Sequence, residues 1–189
     1  MKKRVLIIDN YDSFTHTIAL YLKELNCKIT IIYNDEFQKA KELKKFDFSH
    51  LIISPGPNSP KQVAGSLKAI KYFKKTKKIL GICLGHQCIA EVFGGKVAQL
   101  HNPTHGKIST LHFKKEKFFR GVKKKPQICL YHSLYVAKMP KNCKVLAKSD
   151  EKVIMALRHK KYNIFGIQFH PESVLTQEGK KILANFIRL

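Results

Sequence analysis

The segment Gly81-Ile-Cys-Leu-Gly85 sets a cysteine between two glycines, in the form G-x-C-x-G, where an apolar run meets a helix-like one. This is the sulfur counterpart of the nucleophile elbow, in which glycines let a sharp strand-to-helix turn expose the central side chain. A thiol at a helix N-terminus ionises more readily, because the macrodipole favours the anion. The same pattern also suits a buried structural cysteine, so Cys83 needs a base and an orienter to count as a nucleophile. Gly166-Ile-Gln-Phe-His-Pro-Glu-Ser173 offers both. His170 follows an apolar strand, Pro171 stiffens the turn, and Glu172 stands where a carboxylate can fix the imidazole tautomer and stabilise the imidazolium. An isolated His-Pro-Glu is otherwise an ordinary surface turn; two matching halves on one α/β pattern give it weight. Acyl transfer also needs N–H donors aimed at the developing oxyanion. Ser54-Pro-Gly-Pro-Asn-Ser-Pro60 holds a glycine between prolines, and the Gly56 N–H is the only backbone donor in residues 55–57. Composition alone leaves a plain surface turn open there.

These three loops need a scaffold that brings them together. Arg4–Ile8, Lys28–Tyr33, His50–Ser54 and Lys78–Cys83 are short, β-rich apolar runs that read as strands. Between them, Phe14, Ile18, Leu22 and Leu25 recur at helical spacing, Ala64–Lys75 reads as a helix, and His86–Phe93 reads as another, stopped by Gly94–Gly95. Strands alternating with helices predict a doubly wound, mostly parallel α/β sheet, in which ligands sit beyond the carboxyl ends of the strands. Beyond Gly95 the texture changes. Lys107–Phe113, Ile128–Tyr131, Lys144–Lys148, Lys152–Leu157 and Asn163–Ile167 read as strands of an antiparallel extension or edge, closed by a helix at Glu178–Ile187. With no internal repeat and no linker, the expectation is one domain over residues 1–189, which suits a length near the roughly 150 residues of an ordinary domain.

Composition narrows the class. Hydrophobic residues make up 44% and charged residues 26%, which rules out disorder and collagen-like repeats. No apolar run approaches the roughly 18 residues of a membrane span. Val5–Ile8 is too short for a secretory leader and Asp9 follows at once, so the expected compartment is the cytoplasm. Thirty-six Lys and Arg against 13 Asp and Glu give +23, which invites a nucleic-acid reading. Only Arg4, Arg120, Arg158 and Arg188 carry the forked group that phosphate and guanine favour, and the lysines come in scattered pairs that punctuate apolar periods. Solvated faces explain them better; a basic face meeting an acidic partner is a third reading. Cys27, Cys83, Cys88, Cys129 and Cys143 form no CxxC pair and are odd in number, against a disulfide framework or a zinc site.

Cys83 in GICLGHQ, the SPGP loop, LYHSL at 130–134 and His170/Glu172 in GIQFHPES resemble class I, triad-type glutamine amidotransferases. DNYDSFT at 9–15 and HGK at 105–107 narrow the resemblance to the glutaminase subunits of anthranilate synthase and aminodeoxychorismate (para-aminobenzoate) synthase, over essentially the whole chain. The resemblance implies that Cys83 attacks the glutamine side-chain amide, that His170 is the general acid/base and Glu172 its orienter, and that Gly56 and Leu84 N–H form the oxyanion hole. Gly56, Gln87, Ser133 and Leu134 would hold glutamine. Asn10, Tyr11, Asp12 and Ser13, with His105 and Lys107, would lie near the surface of a chorismate-using synthase subunit that receives the ammonia. It implies no metal or organic cofactor in this chain, and magnesium in the partner.

There are departures. Asn58 stands where the family usually has Gly, and Asn tolerates a left-handed backbone better than most residues. Leu130 replaces an Arg before YHSL and Thr104 a Met before HGK, which bears on partner docking. His86 and His132 are read as structural residues satisfied by hydrogen bonds. Two other classes compete with the leading one: a stand-alone γ-glutamyl hydrolase or an amidotransferase for another acceptor, and a basic nucleic-acid-binding protein.

Overall fold

Arg4–Asp9 reads RVLIID, and every residue after Arg4 is buried. A short run buried on both faces belongs inside a parallel sheet covered by helices. A computed structural model describing residues 2–189 places it there, as strand β1. The chain then runs through α1 (Thr15–Glu24), β2 (Lys28–Tyr33), β3 (His50–Ile53), α2 (Ala64–Phe73), β4 (Lys78–Ile82), α3 (Leu84–Val92) and β5 (Lys96–Thr110). It continues with β6 (His112–Phe113), β7 (Gln127–Lys138), β8 (Cys143–Lys148), β9 (Ile154–His159), β10 (Ile164–Ile167) and α4 (Gly179–Arg188).

Eight strands form one sheet in the order β2-β1-β3-β4-β10-β9-β8-β6. The first five are parallel and the last three antiparallel. Alternation along each strand feeds two cores. Val5, Ile7, Leu80 and Ile82 point to the face covered by α1 and α4, with Ile18, Leu22, Leu183 and Phe186. Leu6, Ile8, Leu51 and Ile53 point to the face covered by α2 and α3, with Ile70, Phe73, Cys88 and Ile89. That is the doubly wound arrangement read from the alternation of strands and helices.

The C-terminal half corrects the expectation in two places. Asn163–Ile167 was expected in the antiparallel extension, but β10 pairs in parallel with β4, Gly166 opposite Gly81. Being buried throughout, it fits the middle of the sheet rather than an edge. Lys107–Phe113 is not one strand. The chain leaves a separate two-stranded ribbon, β5–β7, at Thr110 and enters the main sheet at His112, turning on the fully buried Leu111. The ribbon's register, interrupted by irregularities, sets His105 opposite Tyr131 and Lys107 opposite Leu130. No helix among the described residues is long and apolar enough to cross a membrane.

Candidate active site

Cys83 sits between β4 and α3 with φ 51° and ψ −103°, a conformation that L-residues rarely adopt. Such strain costs about 1–3 kcal/mol and persists only where the surroundings enforce it. Here the flanking glycines do so. A Cβ on Gly81 would lie 2.2 Å from the Gly85 carbonyl oxygen, and one on Gly85 would lie 2.3 Å from that of Ile53. The helix therefore starts hard against the strand ends, and the elbow is locked by the Cys83 N–H donating to Ile167 O at 2.8 Å.

That last bond spans the β4–β10 seam, which is how the base arrives. His170 follows β10, and its Nδ1 lies 2.6 Å from Glu172 Oε1, both side chains being buried. The main chain around the imidazole is held by Thr176, whose hydroxyl donates to His170 O at 2.6 Å and accepts from Cys129 N at 3.0 Å. Burial works against charge on His170, but hydrogen bonding and charge from Cys83 and Glu172 outweigh it and hold the imidazole well above its usual range. His170 Nε2 is buried and is the ring nitrogen left to face Cys83, where it can take a proton from sulfur. Cys83, His170 and Glu172, which their motifs singled out, are therefore brought together at the β4–β10 seam.

Gly56 approaches so closely that a Cβ there would be 2.7 Å from Asn10 Cβ and 2.9 Å from Leu84 Cδ2. Leu84 is the first residue of α3, so its N–H has no carbonyl within the helix to bond. The two expected oxyanion donors thus lie on adjoining segments. Asn58 is not among the residues with positive φ, so the left-handed backbone considered for it is not used.

The expected partner-facing residues divide. Tyr11, Ser13, His105 and Lys107 are exposed. Asn10 is not: it is fully buried, its N–H donating to Ser54 Oγ (2.8 Å), its Nδ2 to Ser54 O (3.0 Å), while Ser66 Oγ donates to its Oδ1 (2.7 Å). It clamps the end of β1 to the Gly56 loop and to α2, and its expected place at the partner surface is corrected accordingly. Asp12 is half-buried; burial holds its carboxyl above its usual range, against the opposing pull of the Phe14 N–H and the charge on His170.

Of the residues expected to hold glutamine, Ser133 and Leu134 are half-buried on β7 and Gln87 is buried on α3. The Gln87 amide NH2 is already committed to Leu134 O at 3.0 Å and Gln168 Oε1 at 3.2 Å, so only its oxygen remains for a ligand. His132 donates from Nδ1 to Leu134 O at 2.9 Å, while His86 packs against the Gly166 backbone, its ring nitrogens making no well-formed hydrogen bond among the described residues. Leu130 is 2% exposed and packs in the core, and Thr104 Oγ1 donates to His132 O inside the ribbon. Leu130 is therefore a matter of internal packing, while the half-buried Thr104 ties β5 to β7.

Sequence reasoning missed Gln168, Thr176, Phe14 and Tyr131. Gln168, a polar residue between Ile167 and Phe169, was visible as an interruption in an apolar run. Phe14 and Tyr131 are about 40% exposed and stand edge-on to the His170 ring, at 6.0 and 5.8 Å, so they frame the mouth of the site. A cleft of about 1240 Å3 floored by Leu111, Phe113 and Phe119 opens elsewhere and includes no member of the triad. Chemistry, not concavity, locates this site.

The family model described as glutamine amidotransferase class-I matches residues 6–189. The chain is 43% identical to anthranilate synthase component 2 of Cyanophora paradoxa, covering 97% of both chains. It is 43% identical to aminodeoxychorismate/anthranilate synthase component 2 of Bacillus subtilis, covering 97% of this chain and 95% of that one. It spans 32% of a longer relative, the bifunctional protein TrpGD of Thermotoga maritima. Among solved structures, a putative GMP synthase subunit from Thermoplasma acidophilum superposes with a TM-score of 0.89 at 27% identity, over 100% of this chain and 94% of that one. With the family match running from β1 through α4, the chain belongs to the class I glutamine amidotransferases.

Proposed function

We propose that this chain is the glutaminase subunit of a chorismate-using synthase, anthranilate synthase first and aminodeoxychorismate synthase second. The observation that carries the reading is the buried Cys83 elbow set on the β4–β10 seam beside a His170–Glu172 pair at 2.6 Å. Cys83 Sγ adds to the side-chain amide carbon of glutamine as its proton passes to His170 Nε2. The oxyanion is met by the N–H groups of Gly56 and Leu84, worth several kcal/mol in a site that excludes water. His170 returns the proton to the amide nitrogen, the C–N bond breaks, and ammonia leaves a γ-glutamyl thioester on sulfur. Water then adds to the thioester carbon as His170 takes its proton, the C–S bond breaks, the proton returns to Sγ, and glutamate is released. Glu172 holds the Nδ1–H throughout and stabilises the imidazolium.

Phe14 and Tyr131 stand edge-on to His170, and the exposed Val174 and Leu175 lie just beyond Glu172 in the chain; this is the face on which we place the synthase, taking up ammonia before water protonates it. Two relatives named as component 2 of such synthases, matched nearly end to end, support that partner over the acceptor suggested by the structural neighbour's name. We expect no metal or organic cofactor in this chain and magnesium in the partner. Five cysteines, none in a disulfide, fit a reducing cytoplasm.

Glutamate release is measured for the chain alone and with each synthase subunit plus chorismate and magnesium. Strong stimulation by one synthase, with its amino product appearing in step with glutamate, is expected. Cys83→Ala should lose activity by many decades. Equal rates with and without partners would mean a free hydrolase, and full activity of Cys83→Ala would overturn the triad.

A further inference from the structure

Gln168 is fully buried directly after β10, and its Nε2 lies 3.5 Å from Cys83 Sγ. Burying an amide is costly unless its polar atoms are bonded, so its orientation answers to its neighbours. Those neighbours leave one choice. The Leu134 carbonyl can only accept, so the Gln87 amide turns its NH2 towards it. The second hydrogen of that NH2 goes to Gln168 Oε1. Gln168 is thereby left with its own NH2 facing the sulfur. One carbonyl on β7 thus sets the polarity of two amides in series and delivers a donor to the nucleophile.

The sulfur needs different partners in its two protonation states. As a thiol it donates to the Tyr131 carbonyl, 3.6 Å away. As a thiolate it can only accept, and beside the His170 imidazolium the Gln168 NH2 is a neutral donor already aimed at it. We propose that Gln168, held donor-end-first by the Leu134–Gln87 relay, stabilises the Cys83 thiolate once the proton has moved from Sγ to His170 Nε2, and so sets the reactivity of the nucleophile. Its catalytic meaning rests on the glutaminase reading; its effect on the thiol does not.

The test is site-resolved alkylation of Cys83 with iodoacetamide across pH, read by mass spectrometry on the purified full chain, beside glutaminase assays of the same variants. Gln168→Glu puts an acceptor and a charge against the sulfur. It should raise the pH midpoint of alkylation and slow the reaction at neutral pH by about tenfold or more, the scale of a hydrogen bond to a charged group. Gln168→Met removes the donor without adding charge and should shift the midpoint less, in the same direction. Gln87→Glu never touches the sulfur but draws the Gln168 NH2 towards itself, leaving Oε1 on the thiol, and should also shift the midpoint upwards. If Gln168→Glu fails to fold by circular dichroism, the other two variants carry the test. A merely structural role would lower thermal stability and leave the midpoint in place. Wild-type midpoints in the folded variants would overturn this inference and spare the function, which Cys83→Ala tests separately. Shifted midpoints in a chain without glutaminase under any partner would sustain the thiol–amide interaction and overturn the function.

Discussion

His86 lies on α3, three residues beyond the nucleophile, fully buried against the Gly166 backbone and with no well-formed hydrogen bond to its ring nitrogens among the described residues. Burial pushes its imidazole down to about 3, the Gly166 backbone opposes that shift, and nearby His132 adds to it. The folded protein therefore refuses a proton that the unfolded chain accepts near pH 6.5. The resulting stability is complete above pH 6.5 and is lost as pH falls towards about 3. With those two values, the linkage cost is about 0.2 kcal/mol at pH 7 and about 2.7 kcal/mol at pH 4.5, a drift of about 2.5 kcal/mol. His50, pushed to about 4 chiefly by burial, adds loss in the same direction in any variant that retains it. Replacing His86 by Met, which adapts its shape to irregular cores, removes the first contribution and keeps the second. Urea unfolding of both proteins, followed by circular dichroism at the two pH values, gives the difference in stability. Whatever offset packing imposes at pH 7, that difference should move by about 2.5 kcal/mol in favour of the variant at pH 4.5. A difference that stays constant within about 1 kcal/mol would mean that the folded protein protonates His86 readily, and the argument from burial would fail.

Gly81→Ala forces a Cβ to within 2.2–2.7 Å of backbone atoms of Gly85 and His86, so it should abolish glutaminase and cost about 2 kcal/mol or more in urea unfolding. Gly94→Ala meets no atom within 4 Å but sits at φ 84°, so it should cost only about 1 kcal/mol and keep the activity. Asn10→Ala strands Ser54 O and the Ser66 hydroxyl. It should lower stability by about 2–3 kcal/mol and impair glutaminase, while synthase binding measured by calorimetry stays near wild type; a selective loss of binding would restore Asn10 to the interface. Thr176→Val removes the hydroxyl that bridges His170 O and Cys129 N and should cost about 1–3 kcal/mol, with a fall in kcat larger than any change in KM.

Much of this protein is legible along its sequence. The parallel half follows from short apolar runs alternating with helical periods, and those elements begin and end within a few residues of where they were expected. The triad follows from chemistry that local motifs encode: an elbow needs its glycines, and a base needs a carboxylate two residues on. What local patterns do not encode is pairing. Asn163–Ile167 reads the same whether it flanks β4 in parallel or lies at an antiparallel edge, because a short buried run has one composition in both settings. Its place beside β4 is what carries His170 to Cys83, 87 residues earlier in the chain. The ribbon is equally mute in sequence: Pro103 and Gly106 interrupt β5, and only its register against β7 sets His105 opposite Tyr131.

Burial is the other quantity that only the tertiary structure decides. Asn10 and Tyr11 are neighbours in one motif, yet one is sealed under the Gly56 loop and the other is 56% exposed. Leu130 takes a place in the core, and Gln87 has both amide hydrogens already used. Sequence alone determined which side chains could perform the reaction, since reactivity belongs to residue types and their immediate neighbours. Which carbonyl claims which hydrogen, and so which end of an amide faces the sulfur, was decided by segments far apart in the chain closing on one another, because a hydrogen bond depends on a few tenths of an ångström that no local pattern specifies.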